Sequence, residues 1–221
     1  MHDISSVKVA TFAAVGAGGR HAGNIAPKLI RDTKLSHHGK PELAFVLGEF
    51  CPYCATDSWN LAVALSRFGT FQNLTTLSSS PTDYAGSIRT VSFRYSHFHS
   101  RYLAFAPIVN EDVNRKQVQR VPRKIRKAWK RLEHGEFAYP FIDFGGRADL
   151  TVSSFDPAKL KNLSRARIAA DLSNPRRTIA KAIDGSANQM TAAICVMTHE
   201  KPSRICNSTT ITKIRHSMRH H

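Results

Sequence analysis

The stretch Glu49-Phe50-Cys51-Pro52-Tyr53-Cys54 decides the fold that this sequence predicts, because it joins a buried strand to a helix. Before it, residues 43–47 form a short apolar run after Gly39-Lys40-Pro41, which is typical of a buried strand. After it, residues 55–68 place apolar side chains at helical spacing, and Gly69 ends that pattern. The two cysteines therefore lie where a strand passes into a helix.

The start of a helix favours a thiolate at Cys51. Free backbone N–H groups and the positive end of the helix dipole stabilise an anion there, so we expect the pKa of the Cys51 thiol to lie below that of a free cysteine. Pro52 suits the first helical position, where its missing N–H costs nothing. Cys54 follows one turn later. The spacing predicts an exposed nucleophile at Cys51 and a shielded resolving thiol at Cys54, with no organic cofactor.

A Cys-x-x-Cys pair also has the spacing of half a zinc site, which is the alternative to a redox pair. Cys195 and Cys206 are too far apart in sequence for the second half, and no His-x-x-x-His accompanies them. His97 and His99 alternate and could bind a metal from one strand face, but exposed loop histidines are the commoner case. The sequence therefore favours a redox pair and predicts no metal site.

Charge is the second strong feature of the chain. The 221 residues carry 32 Lys and Arg against 16 Asp and Glu, a balance that attracts polyanions or anionic membrane surfaces. Residues 115–131 contain no acid, and Pro122 is expected to begin a helix whose apolar stripe is Ile125, Trp129 and Leu132. We interpret this basic helix as a solvated outer face, with nucleic acid or an anionic membrane surface as the alternative partners.

The N-terminal residues offer no clear targeting signal. Residues 9–17 are apolar and end in small residues, as in a signal peptide, but Asp3 precedes them and Lys8 is the only basic side chain before them. We interpret them as a first structural element. No apolar run approaches the length of a membrane-spanning helix.

The middle of the chain predicts strands. Residues 74–77 are expected to be the second strand of a right-handed βαβ unit, parallel to residues 43–47. Residues 90–95 alternate as strands do and residues 102–109 are rich in β-forming side chains, so together they predict a hairpin with His97 and His99 at its tip.

A second hairpin is predicted around Gly145-Gly146, between two β-rich runs. Pro140 stands at the first position of its strand, where proline is tolerated. Asp143 lies within the same strand as an acid among apolar residues. We expect it to be hydrogen-bonded at the strand end rather than to relay protons for Cys54.

The C-terminal third predicts helices. Asp156-Pro157 and Ser164 are expected to cap helix starts. Asn174-Pro175 is expected to open a helix that Gly185 closes, and residues 186–198 form a last helix carrying Cys195. The polar tail after Cys206, with His216, His220 and His221, is expected to fray.

Several of these motifs together resemble an uncharacterised thioredoxin-like family of archaea and actinobacteria, a domain of unknown function within the thioredoxin-fold thiol-disulfide oxidoreductases. The resemblance covers most of residues 7–210. It depends on Gly39-Lys40-Pro41-Glu42, Phe50-Cys51-Pro52-Tyr53-Cys54-Ala55 with Trp59, residues 64–71, Tyr139-Pro140-Phe141-Ile142-Asp143-Phe144-Gly145, and Thr191-Ala192-Ala193-Ile194-Cys195 with Cys206.

The resemblance implies further roles. Pro140 would be the cis-proline that faces the redox pair and helps to hold an extended substrate. Cys195 and Cys206 would form a structural disulfide, although two separate buried thiols are the alternative in a reducing cytosol. A member of this family is expected at the extracytoplasmic face of a prokaryotic membrane rather than in the cytoplasm.

We therefore expect an α/β protein of thioredoxin-like fold, with a central mixed sheet and a C-terminal helical extension. Its expected parts are an N-terminal edge segment (1–42), a core (43–155) with a basic helical insert at about 113–133, the helical extension (156–210) and a basic tail (211–221).

The expected function is thiol-disulfide oxidation or reduction of protein substrates. Cys51, Cys54 and Pro140 are the expected catalytic residues, and the expected substrate-binding residues are Pro52, Tyr53, Tyr139 and Pro140. A membrane redox partner could recycle the pair. The alternative is a non-enzymatic binding protein whose basic face holds nucleic acid or an anionic membrane surface.

Overall fold

A computed structural model describes residues 7–19 and 22–219, and within them the chain forms ten strands and seven α-helices. The strands are β1 (Lys28–Leu29), β2 (Ser36–His37), β3 (Lys40–Gly48), β4 (Gly69–Gln72), β5 (Thr75–Ser78), β6 (Arg89–Ser92), β7 (His97–Ser100), β8 (Ala104–Glu111), β9 (Phe141–Phe144) and β10 (Ala148–Leu150). The helices are α1 (Val9–Val15), α2 (Pro52–Leu65), α3 (Arg123–Leu132), α4 (Arg165–Leu172), α5 (Thr178–Met197), α6 (Ser203–Cys206) and α7 (Thr209–Ser217), with a 3-10 helix at Pro157–Leu160.

A mixed sheet in the order β8-β3-β9-β10-β1 organises the molecule, and β2 pairs with the start of β3. Strand β3 lies parallel to β8 and antiparallel to β9. Its side chains alternate between two cores, as the pleat of a strand requires. Leu43, Phe45 and Leu47 belong to the core that contains α2 and α5, while Ala44 and Val46 face the core beneath α3. The sheet thus has helices on both faces, an α/β arrangement.

Helix α3 confirms the predicted basic amphipathic helix. Ile125, Ala128 and Trp129 are buried against Ala44, Val46 and Phe141, and Leu132 is partly buried beside them. Its cations lie on the other sides of the helix. The narrow apolar stripe therefore attaches an otherwise charged helix to the sheet.

The predicted partner of β3 was wrong. The parallel neighbour is β8, whereas residues 75–78 form β5, which pairs antiparallel with β6 in a separate two-stranded sheet. Side chains in β5 are exposed or half-buried, so this strand could not fill the position beside β3, which is buried on both faces. The central βαβ unit is therefore β3-α2-β8, with two small sheets in its connection.

The predicted hairpin between residues 90–95 and 102–109 was also wrong, because the strands in this region pair with other partners. Strand β6 pairs with β5, and β7 pairs with β4, so His97 and His99 lie in a strand and not at a hairpin tip. Alternating polarity identifies a strand but not its partner.

The hairpin predicted around Gly145-Gly146 is confirmed, because β9 and β10 pair antiparallel across it. Both glycines have positive φ angles, of 65° and 71°, which glycine adopts without a steric cost. Asp143 Oδ1 accepts a hydrogen bond of 2.6 Å from the Gly146 N–H. This contact agrees with the structural role expected for Asp143.

The C-terminal helices differ from the prediction in three places. Asn174-Pro175 does not open α5, which begins at Thr178 with Arg177 as its N-cap. Helix α5 continues through Gly185, which does not end it. A Cβ atom at Gly185 would stand 2.6 Å from Gly18 Cα, so this glycine permits a close approach of the N-terminal segment instead of ending a helix. The tail was predicted to fray, but up to residue 219 it is ordered, since α7 buries Ile211 and Ile214. Fraying of His220 and His221 concerns residues outside the described part.

Two of the predicted caps are confirmed. The Asp156 side chain accepts a hydrogen bond from the Ala158 N–H, and that of Ser164 accepts one from the Arg167 N–H. At the other end of the chain, α1 buries Phe12 and Val15, and the Asn188 amide donates to the Phe12 carbonyl at 2.9 Å. Across residues 7–19 and 22–219, we find no helix with the length and apolar character needed to cross a membrane.

Candidate redox site

Cys51 stands at the N-cap of α2, between the end of β3 and Pro52 at the first helical position. Its backbone is extended, and its Sγ accepts a hydrogen bond of 3.4 Å from the Cys54 N–H. This is the position of a side chain that caps a helix, here filled by sulfur. The local sequence therefore places Cys51 where the unpaired N–H groups of the first turn point at an anion.

The two thiols differ in acidity. A hydrogen bond from the Cys54 side chain lowers the pKa of Cys51, against an opposing effect of burial. Burial raises the pKa of Cys54 well above its ordinary value, and its contact with Cys51 raises it further. Cys51 is thus the thiol more easily ionised, in the direction that the helix position predicted.

The predicted exposure of Cys51 was wrong. Cys51 is 5% exposed and Cys54 is 1% exposed, so both thiols are buried. Residues far away in sequence meet at the neighbouring Phe50 ring. The Arg115 guanidinium lies 3.7 Å from the centre of the Phe50 ring and forms an ion pair of 2.9 Å with Asp83. The Arg115 side chain therefore lies over the ring that precedes Cys51 and is held there by an ion pair between two loops.

Tyr53 lies at the outer edge of the pair. The residue is 38% exposed, and its ring stacks on that of Tyr84 with the ring centres 5.8 Å apart. The Tyr84 hydroxyl donates to Asp156 at 3.1 Å. Of the residues between and beside the cysteines, Tyr53 is thus available at the surface, whereas Pro52 is buried.

Tyr139 and Pro140 lie at the same end of the sheet as Cys51. Phe141 pairs with Val46, so the two residues before β9 lie level with the end of β3. The Tyr139-Pro140 peptide bond is cis. The Tyr139 ring is 6.0 Å from that of Phe50, and its hydroxyl donates to Glu111 at 3.0 Å. The structure thus brings the predicted substrate-binding pair to the edge that carries the cysteines.

Asp57 is a site residue that the sequence did not single out. It is buried one turn after Cys54 on α2, and burial raises its pKa to about 7. Its Oδ1 accepts hydrogen bonds from Ser154 Oγ at 2.5 Å and from Asn60 at 3.1 Å, while Oδ2 has no partner among the described residues. The i, i+3 spacing from Cys54 was the available signal. Asp143, by contrast, shares the sheet face of Phe141, beneath α3.

Cys195 and Cys206 are at disulfide distance, with Cα atoms 5.4 Å apart. Both are fully buried, and the bond joins α5 to α6. Among the described residues, no group of three or more His, Cys, Asp or Glu side chains is arranged to hold a metal ion.

The acidity difference predicts a selective alkylation. In the reduced protein at about pH 6, iodoacetamide should modify Cys51 in preference to Cys54, because the thiolate is the reacting form and only Cys51 has a lowered pKa. As pH rises, the Cys51 rate should level off first. Peptide mass spectrometry measures both sites, and Ala replacements at each cysteine serve as controls. Equal rates would contradict the assignment.

Comparison with known proteins identifies a family but no named relative. The model of the family described as "Domain of unknown function (DUF929)" matches residues 28–196, which include both cysteines of the pair and Tyr139-Pro140. No curated protein and no solved structure matches the chain. Because the match spans most of the sequence, the chain belongs to the DUF929 family.

Proposed function

We propose that this protein is a thiol-disulfide oxidoreductase of thioredoxin-like fold that acts on protein dithiols or disulfides. The observation that carries the proposal is the pairing of two unlike thiols at one helix start. Cys51 accepts a hydrogen bond at the N-cap and has a lowered pKa, while burial keeps Cys54 protonated. A nucleophile and a resolving thiol need this difference.

The topology supports the same proposal. The Cys-x-x-Cys pair lies at the start of α2, just after β3 in a βαβ unit, a combination typical of thioredoxin-like redox proteins. An antiparallel pair, β9 and β10, then extends the sheet on the other side of β3. The residues before β9 are Tyr139 and Pro140, which the resemblance assigns to substrate binding.

The proposed reaction has two exchanges. The Cys51 thiolate attacks one sulfur of a substrate disulfide, so a Cys51-substrate disulfide forms and the other substrate sulfur leaves as a thiolate. Cys54 then loses its proton and attacks Cys51 Sγ, which forms the Cys51-Cys54 disulfide and releases the second substrate thiolate. An external dithiol must reduce the pair again. In reverse, the same steps oxidise a substrate dithiol.

The Asp57 carboxylate is the base best suited to accept the Cys54 proton. It lies one turn beyond Cys54, its Oδ2 lacks a partner in the part of the chain described, and its pKa of about 7 suits proton exchange near neutrality. Tyr139 and Pro140 would hold the substrate chain beside Cys51, and Tyr53, which is exposed between the two cysteines, would contact it as well. Pro52 is buried and leaves no surface for this contact.

The second cysteine pair supports an oxidising compartment for this protein. Disulfides persist outside the cytoplasm and are rare in reducing cytosol, and Cys195 and Cys206 are at bonding distance. We propose the extracytoplasmic face of a prokaryotic membrane as the location, where a membrane redox protein would recycle Cys51 and Cys54.

Insulin reduction tests the proposed function. With dithiothreitol as reductant, the protein should accelerate insulin precipitation, and Cys51→Ser should lower that turnover by more than about a thousandfold because the attacking thiolate is gone. Cys195→Ala/Cys206→Ala serves as the matched control and should keep its turnover when folded. Nucleic-acid retention that falls with salt, without any insulin turnover, would support the binding protein instead.

A further inference from the structure

A cleft of about 560 Å³ opens beside the redox site, on the α3 side of the sheet. Its aromatic wall consists of Trp129, Phe137 and Tyr139, and its cations are Arg120 and Arg126. Tyr139 is the wall shared with the redox site, since its ring lies 6.0 Å from Phe50 and 5.4 Å from Trp129. The cleft is therefore a direct extension of the edge that carries Cys51.

The two arginines of the cleft are available to a partner. Two other cations of α3 are paired within the chain, Lys124 with Glu42 and Arg131 with Asp32. Neither Arg120 nor Arg126 forms an ion pair with any carboxylate in residues 7–19 and 22–219. The Arg126 guanidinium lies 5.0 Å from the centre of the Phe137 ring, which orients it without neutralising it.

One acid, Glu111, also lines the cleft and offsets part of the positive charge of the two arginines. Its carboxylate accepts the Tyr139 hydroxyl at 3.0 Å, and Tyr139 in turn contacts the Asn110 amide. Glu111 is thereby engaged at the inner wall beside Tyr139. With two arginines against one carboxylate, the cleft keeps a net positive charge that favours an anion.

We propose that this cleft binds an acidic side chain located within a few residues of the reactive cysteine in the substrate protein. The inference rests on the proposed function, because it gives that site a preferred substrate class. The distance from the Phe50 ring through the Tyr139 ring to the Trp129 ring can be spanned by about three residues of extended chain. A Glu or Asp at that distance from the cysteine reaches the guanidinium groups, and its stem lies on the aromatic wall.

Peptide pairs test the preference. One peptide disulfide carries Glu at two and three residues on each side of the cysteine, and its partner carries Gln at the same positions. We expect about tenfold higher kcat/KM for the acidic peptide, as one charge-assisted hydrogen bond supplies. Arg126→Gln and Arg120→Gln should remove most of this preference. Lys127→Gln is the matched control, since Lys127 is an exposed cation next to Arg126 on the same helix and lies outside the cleft lining.

Binding without chemistry separates this inference from the proposed function. Fluorescence anisotropy of labelled peptides with serine in place of cysteine, measured on a Cys51→Ser/Cys54→Ser protein, should show the same preference and the same loss in Arg126→Gln. Acidic binding through Arg126 without disulfide turnover in the wild type would support the cleft and refute the oxidoreductase. Equal affinity for the acidic and the Gln peptide would overturn the proposed role of the cleft. So would a loss of the preference in Lys127→Gln as large as that in Arg126→Gln. Tighter binding of a single-stranded oligonucleotide, lost in Arg126→Gln, would overturn it as well.

Discussion

A Cys54→Ser variant is expected to stay attached to its substrates as a mixed disulfide. Cys51 can still attack, because its helix position and the Cys54 backbone N–H remain, but no second thiol is present to resolve the adduct. Without added reductant, we expect the resolving step to slow by more than about a hundredfold, so that the adduct accumulates to near one equivalent. Non-reducing electrophoresis and intact mass spectrometry, after mixing with oxidised insulin, measure the adduct.

Cys51→Ser provides the matched control for this experiment, since it also leaves one thiol in the pair. It should form little adduct, because burial raises the pKa of Cys54 well above its ordinary value and leaves little of the reacting thiolate. Adduct on Cys54 in the Cys51→Ser variant, with none in Cys54→Ser, would mean that the two roles are reversed.

Removal of the second cysteine pair should have the largest effect on stability. A bond between Cys195 and Cys206, with a sequence separation of 11, restricts the unfolded chain and is expected to contribute roughly 3 kcal/mol to the free energy of unfolding. We expect Cys195→Ala/Cys206→Ala to lose about that amount. Urea unfolding of the oxidised proteins measures the difference.

A reductant supplies the control for the stability measurement. Reduction should lower the urea midpoint of the wild type and leave that of the Cys195→Ala/Cys206→Ala variant nearly unchanged. Free thiols at both positions in protein exported to an oxidising compartment would contradict the disulfide, and they would also weaken the proposed extracytoplasmic location.

The features that depend on nearby residues could be predicted from the sequence. The strand before Cys51 and the helix after it follow from apolar patterning, and Pro52 fixes the helix start. The β9-β10 hairpin follows from Gly145-Gly146. The lowered pKa of Cys51 follows from the same local geometry, because its hydrogen bond comes from Cys54.

The features that depend on distant residues could not be predicted. The sequence gives no measure of which strand lies beside β3, and the true partner, β8, follows two small sheets in the connection. The cover over Phe50 comes from Asp83 and Arg115, which meet only after folding. Glycine is common at helix ends, so the sequence predicts that Gly185 ends a helix. The close approach of Gly18 explains why a glycine lies inside α5 instead.

The positions of the four cysteines also affect how the chain becomes oxidised. Each cysteine lies close in sequence to its partner, the proposed one for Cys51 and Cys54 and the one at bonding distance for Cys195 and Cys206, which are 11 apart, whereas any bond between the two pairs would enclose most of the chain. Closing a loop about tenfold longer costs roughly 2 kcal/mol more in chain entropy. Local closure thus disfavours cross-linked isomers before any tertiary contact forms. We therefore expect the unfolded chain to form the Cys195–Cys206 bond, and the proposed Cys51–Cys54 bond, with little need for reshuffling.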